Sequence, residues 1–167
     1  MRTLIVAPAH IQPSETWVKN LEREREAASS ESHQVDVLIV DDSDGKITMP
    51  ENWRVFDYQK QKEYLGDLYE TFAERFHKSS ACRNFGHIVA YREKYDVVIG
   101  LDSDCVVPFN FVSDHVSRLN IPGGYGWTNP IAGTGMYSRG YPYSQRNWRI
   151  VANMGLWENV LDINGVF

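Results

Sequence analysis

The sequence holds only two cysteines, Cys82 and Cys105, in 167 residues, too few for a fold stapled by disulfides. It has no uninterrupted apolar run near the roughly 20 residues that a membrane-spanning helix needs. It has no excess of positive charge either: 17 Lys and Arg stand against 22 Asp and Glu, a net charge of −5. That balance argues against nucleic acid as a partner held by bulk electrostatics. No internal repeat, low-complexity tract or linker divides the chain. Met1 to Pro8 lead straight into a strand-like segment, without the basic stretch and cleavage site of an export signal. What the sequence does have is core material. With 43% hydrophobic and 13% aromatic residues, disorder is excluded as the overall description. The expectation is one soluble, cytoplasmic α/β domain over residues 1–167, with no membrane span.

The chain alternates in character. Arg2 to Ala7 is a short apolar run closed by Pro8, which predicts a buried strand. Ser14 can cap a helix whose charged stretch continues through Leu21 to Ala28. Val35 to Val40 is a second apolar run, cut off by the turn formers Asp41-Asp42-Ser43-Asp44-Gly45. Trp53 to Tyr58 is read as a short third strand and Asp96 to Leu101 as a fourth. Tyr64 to Phe76, Ala81 to Tyr91 and Pro108 to Leu119 are read as helices, after which Gly, Pro and aromatics dominate. Strands alternating with helices predict a mostly parallel sheet flanked by helices.

In such sheets ligands bind beyond the carboxyl ends of the strands. Three polar features fall there: Ala7-Pro8-Ala9-His10, Asp41 to Asp44, and Asp102-Ser103-Asp104. Two carboxylates two residues apart at a strand end can approach one hard divalent cation, Mn²⁺ or Mg²⁺, and leave positions open for a diphosphate. The same pattern also fits a turn whose Asp side chains accept backbone N–H bonds. Lys78-Ser79-Ser80-Ala81-Cys82-Arg83-Asn84-Phe85-Gly86 opens a helix. Its small residues allow close approach, and the N–H groups of a first turn favour an anion. Lys78 and Arg83 could add charge toward a phosphate, Arg83 and Asn84 could contact a base, or Arg83 could bridge to an acidic neighbour. Cys82 reads as a small buried hydrophobe. In Arg139-Gly140-Tyr141-Pro142-Tyr143-Ser144-Gln145-Arg146, two arginines offer planar donors and two tyrosines offer faces on which a sugar can stack. A loop of packed tyrosines with two surface arginines fits that segment too.

Four stretches carry a family resemblance. They are Leu38-Ile39-Val40-Asp41-Asp42 with Asp44 and Met49-Pro50-Glu51; Ser80 to Gly86; Leu101-Asp102-Ser103-Asp104-Cys105; and Arg139 to Arg146 followed by Gly155-Leu156-Trp157. In order and approximate spacing, over nearly the whole chain, the sequence resembles the reversibly glycosylated polypeptides, the UDP-arabinopyranose mutase family. The resemblance implies a fold like that of the GT-A glycosyltransferases. It implies that Asp102 and Asp104 hold Mn²⁺ or Mg²⁺ against the diphosphate of a UDP-sugar. Pro8 to His10, Asp41 or Asp42, and Arg83 would hold the uridine. Arg139 matches the position of reversible sugar attachment, and Arg146 a second required arginine. Ser103 departs from the family, which usually has a third acidic residue there. Family members also continue well beyond Trp157, so a C-terminally short relative, a fragment or one half of a homo- or hetero-oligomeric assembly is expected. The implied activity is interconversion of pyranose and furanose forms of a UDP-sugar. The alternatives are transfer of the sugar to an external acceptor, or nucleotide-sugar binding without catalysis.

Overall fold

The computed structural model describes residues 1–119. The first compact unit is Met1–Ser113, and a second begins at Asp114. The expectation of one domain over 1–167 reaches beyond the described residues.

Among the described residues four strands, β1 (Arg2–Ala9), β2 (Gln34–Asp41), β3 (Arg54–Phe56) and β4 (Val97–Gly100), form one sheet in the order β3-β2-β1-β4. Every pairing is parallel. The chain is therefore α/β, as the alternation predicts. Strands β1 and β2 are continuous apolar runs because both of their faces are covered. Leu4, Val6, Leu38 and Val40 face one side and join Leu65, Phe72, Cys82, Phe85, Val89 and Ala90 in a single core. Ile5, Ala7, Val37 and Ile39, of opposite parity, are equally buried. On that second side α1 (Glu15–Ala28) packs against β2, with Trp17 and Leu21 buried.

Local signals set the boundaries. Ser14 caps α1, its side chain accepting from Trp17 N at 3.2 Å. The helix ends where the backbone N–H of Ser29 donates to Arg25 O. Asp57 caps α2 (Tyr58–Leu65), accepting from Lys60 N at 2.8 Å. The predicted third strand therefore shrinks to β3, because Asp57 and Tyr58 already begin a helix. The predicted helix over Tyr64 to Phe76 is two helices. Gly66, at φ +59°, closes α2 in a conformation that L-residues rarely adopt. A 3-10 turn over Gly66–Leu68 then leads into α3 (Tyr69–Phe76). Another 3-10 turn, Ser80–Arg83, precedes α4 (Asn84–Arg92), where the sequence predicts a helix from Ala81. The last element among the described residues is α5 (Phe111–Leu119). Among the described residues no helix is long and apolar enough to cross a membrane.

The connection from β1 through α1 to β2 steps one way across the sheet. The connection from β3 through α2, α3 and α4 returns past β1 to place β4 on its other side. The direction of winding thus reverses between β1 and β4, the place where open α/β sheets leave a crevice for ligands.

Candidate functional site

Strand β1 outruns its neighbour at this reversal. Its last pair with β4 is Val6↔Gly100, whereas its pairing with β2 continues to Ala9↔Asp41. Val6 O accepts from Leu101 N at 3.0 Å, so the two-residue alternation points the nitrogen of Pro8 to the same side, beyond the end of β4. A proline there removes no ladder bond. Pro8 is half-buried in the strand, and His10, one residue past its end, is exposed.

The loop after β2 is organised by its own acids. Asp41 is 1% exposed. Its Oδ1 accepts from Ser43 N at 2.8 Å and Ser43 Oγ at 2.6 Å, and its Oδ2 accepts from Gly45 N at 2.9 Å. These bonds hold the turn in which Asp44 and Gly45 take φ values of +61° and +81°. Asp42 points elsewhere: its Oδ1 accepts from Tyr58 Oη at 2.9 Å and from Lys78 N at 3.1 Å. Burial, and then the bond to Asp42, push the Tyr58 phenol well above its ordinary value. His77 stacks on Tyr58 with ring centroids 4.1 Å apart, and its Nε2 lies 3.1 Å from Oε1 of the buried Gln61. Burial lowers the His77 pKa, against the pull of Asp42 and Asp44. Tyr58, Gln61 and His77 support the site but carry no sequence signature, since each meets its partner only through tertiary packing. Removing the phenolic hydroxyl in Tyr58→Phe is expected to cost about 1 kcal/mol in urea unfolding. A variant as stable as the wild type would show that the Tyr58–Asp42 contact contributes nothing net.

The segment before α4 lies against β1. Gly86 faces Val6 so closely that an added Cβ would fall on Val6 Cγ1 and within 2.7 Å of Val6 Cγ2. Cys82 is buried, as expected of a small hydrophobe, and burial chiefly raises its thiol pKa to about 11. Several N–H groups expected to face an anion have partners within the chain. Ala81 N donates to Ser79 Oγ, Cys82 N to Ser79 O, and Asn84 N to Ala81 O and Cys82 O. Lys78 is exposed and has φ +55°.

Arg83 reaches the loop after β4, where its Nη2 donates to Asp102 Oδ1 at 2.8 Å. One potential ligand atom each from Asp102, Asp104 and Cys105 lie within 4.8 Å of one another. Cys105 N donates to Asp102 O at 3.1 Å and closes the turn. Burial pushes the Cys105 thiol up, and the adjacent carboxylates add to the shift. The strong donors are therefore the two carboxylates, a set that fits a hard cation such as Mg²⁺ or Mn²⁺ with coordination positions left open.

The structure thus joins Asp102 to Asp104 and Arg83, and Asp42 to Lys78. It turns Asp41 inward to its own loop. Pro8, His10 and Asn84 share the carboxyl end of the sheet with these groups. Arg139, Tyr141, Tyr143 and Arg146 lie outside the described residues.

A family model described as reversibly glycosylated polypeptide matches residues 17–166. No curated protein and no solved structure matches the chain.

Proposed function

This chain belongs to the reversibly glycosylated polypeptide family, and we propose that it binds a UDP-sugar with Mn²⁺ or Mg²⁺ and interconverts the sugar's pyranose and furanose forms. The observation that carries the reading is the pair Asp102 and Asp104, placed just beyond β4 at the reversal of the sheet. A divalent cation held there supplies Lewis-acid stabilisation of the negative charge that develops as UDP departs.

The chain's own residues take the remaining roles. Asp42, fixed by Tyr58 and the Lys78 backbone, is suited to accept hydrogen bonds from the uridine, with Pro8 to His10 beside it. Arg83 supplies a planar cation for the nucleotide. Arg139 receives the sugar while Arg146 holds the diphosphate or orients Arg139, and Tyr141 and Tyr143 offer faces to the ring. A guanidinium is a poor nucleophile because it stays protonated. Attachment therefore requires a strongly cationic anomeric carbon and loss of a guanidinium proton. The retained sugar opens, recloses in the other ring form and returns to UDP. Two free cysteines suit a reducing compartment, and the cytoplasm is the proposed setting.

The test is incubation with Mn²⁺ and a panel of UDP-sugars, read by intact mass and product chromatography. Wild type is expected to gain one sugar mass and to lose it when excess UDP is added. Arg139→Lys should show no adduct yet still bind UDP. Replacing both Asp102 and Asp104 with Ala should abolish the dependence of UDP binding on Mn²⁺, and equal affinity in chelator would remove the metal from the reading. Isomerised UDP-sugar formed without acceptor marks a mutase, and transfer only when acceptor is present marks a glycosyltransferase. Binding without adduct, isomerisation or transfer would leave a nucleotide-sugar-binding domain. Arg139→Lys turning over at the wild-type rate would exclude covalent attachment there and leave Arg139 as a clamp on the diphosphate.

A further inference from the structure

The contact between Arg83 and Asp102 bears on how such a site loads. Arg83 Nη2 lies 2.8 Å from Asp102 Oδ1, and the two side chains are 33% and 32% exposed. Asp102 is also one of the grouped potential ligands, with Asp104 and Cys105. We propose that Arg83 is a resident cation on Asp102 that a divalent metal displaces, so that metal binding turns Arg83 toward the anionic ligand and the two binding events reinforce one another. The inference rests on the reading of Asp102 and Asp104 as the metal pair.

The chemistry favours exchange over sharing. A guanidinium cannot relieve a nearby metal's charge by losing a proton, because it stays protonated at any working pH. A carboxylate oxygen already engaged in a charge-assisted bond has less negative potential to offer, and a second cation beside Arg83 is repelled by it. Where the metal takes the oxygen that Arg83 holds, one of them must move. The backbone of Arg83 is poorly placed to do so: its 3-10 turn contacts β1, Cys82 is buried, and Gly86 is pressed on Val6. The side chain, long and one-third exposed, is the part that can turn. Once off Asp102 it carries a full positive charge with planar donors suited to a phosphate. Its departure also gives the metal an unshared carboxylate. Each ligand then improves the site for the other, and linkage makes the gain equal in both directions.

The experiment is a titration of the full chain with Mn²⁺, followed by electron paramagnetic resonance, without nucleotide and at saturating UDP. Arg83→Gln is expected to bind Mn²⁺ about two- to fivefold more tightly than wild type when no nucleotide is present, as for loss of a partly exposed ion pair. UDP should strengthen Mn²⁺ binding by a clearly smaller factor in Arg83→Gln than in wild type. Arg83→Lys, which keeps the charge but loses the planar fork, should fall between the two on both measures. It also serves as the test variant should Arg83→Gln not fold. Were Arg83 a fixed brace of the loop, Arg83→Gln would bind Mn²⁺ no better than wild type or worse, and that result would overturn the proposal. An unchanged UDP effect in the variants would overturn it as well. Asp102→Asn separates the two levels. If it loses Mn²⁺ while Arg83→Gln and Arg83→Lys match wild type, only the exchange fails. If it binds Mn²⁺ as wild type does, the metal pair itself is wrong and the exchange falls with it.

Discussion

At pH 7, Glu22→Gln is expected to lower the unfolding free energy by about 2 kcal/mol, and the deficit is expected to vanish in acid. Glu22 lies on α1 and accepts from Arg25 Nη2 at 2.7 Å and Arg25 Nε at 2.8 Å. It also accepts from Asn52 Nδ2 at 2.7 Å and Trp53 Nε1 at 2.6 Å. Its carboxylate thus ties the helix to the turn before β3, where Trp53 packs edge-on to Trp17 with centroids 6.0 Å apart. The Arg25 bonds first, opposed by burial and joined by Trp53 and Asn52, hold the Glu22 carboxyl down at about 2 against an ordinary 4.5. A depressed acid contributes stability that is fully present above its unfolded value and is lost as pH falls through its folded value. The whole displacement corresponds to about 3 kcal/mol. Screening trims it because the Glu22 side chain is 24% exposed. Urea unfolding of both proteins from pH 7 down to pH 2 gives the check. The two curves should converge between about pH 4.5 and pH 2, and a gap that persists at pH 2 would place the effect in packing rather than charge.

Gly86→Ala should cost a comparable amount, about 2 kcal/mol, although alanine is the better helix former. Overpacking a tight core costs about 1–3 kcal/mol, and the propensity gain of about 1 kcal/mol only offsets part of that. Flexible neighbours can absorb a new methyl, but Val6 cannot. It is β-branched, stiff at χ1, fully buried and fixed in a central strand. To relieve the overlap, α4 must lift away from β1 and take the turn bearing Arg83 with it. The proposed metal and nucleotide binding should therefore weaken along with stability. Val6→Ala makes room at the point of overlap. The double variant should be more stable than the two single effects predict by at least about 1 kcal/mol. Additivity within about 0.5 kcal/mol would show that the two residues do not press on one another.

These two sites mark where sequence reading succeeds and where it stops. The strands over 2–9, 34–41 and 97–100 are legible because a buried parallel strand must be apolar on both faces, and α1 because Ser14 announces it. The polar run of α2 is not. Only Gln61 and Leu65 are buried in it, so its apolar spacing is too thin to register, and its ends are set by Asp57 and Gly66. Asp102 and Asp104 are visible from sequence as acids following an apolar strand. Their pairing with Arg83 is visible only as one of several possibilities, because 19 positions separate Arg83 from Asp102. Gly86, one of the small residues of the segment read as opening a helix, sits within α4 and packs on Val6 of β1, a contact that the sequence does not announce. Asp41 and Asp42 look alike in sequence, and burial alone separates a loop-holding carboxylate from one turned toward Tyr58 and Lys78.

The sheet order also sets a timetable for assembly. The pairing of β1 with β2 spans a short stretch of chain: Arg2 lies opposite Gln34, and just outside the strands Met1 meets Ser32, 31 positions apart. Docking β4 on β1 closes a far longer one, as between Arg2 and Asp96, 94 positions apart. A chain emerging from its N-terminus can shape the Asp41–Asp42 loop before Asp102 has been synthesised, so the two sides of the crevice mature at different moments. The entropy of closing the long span grows only logarithmically, by about 0.6 kcal/mol for each doubling. Insertions in the exposed turns between β2 and β4 should therefore leave the final architecture almost untouched while slowing its completion.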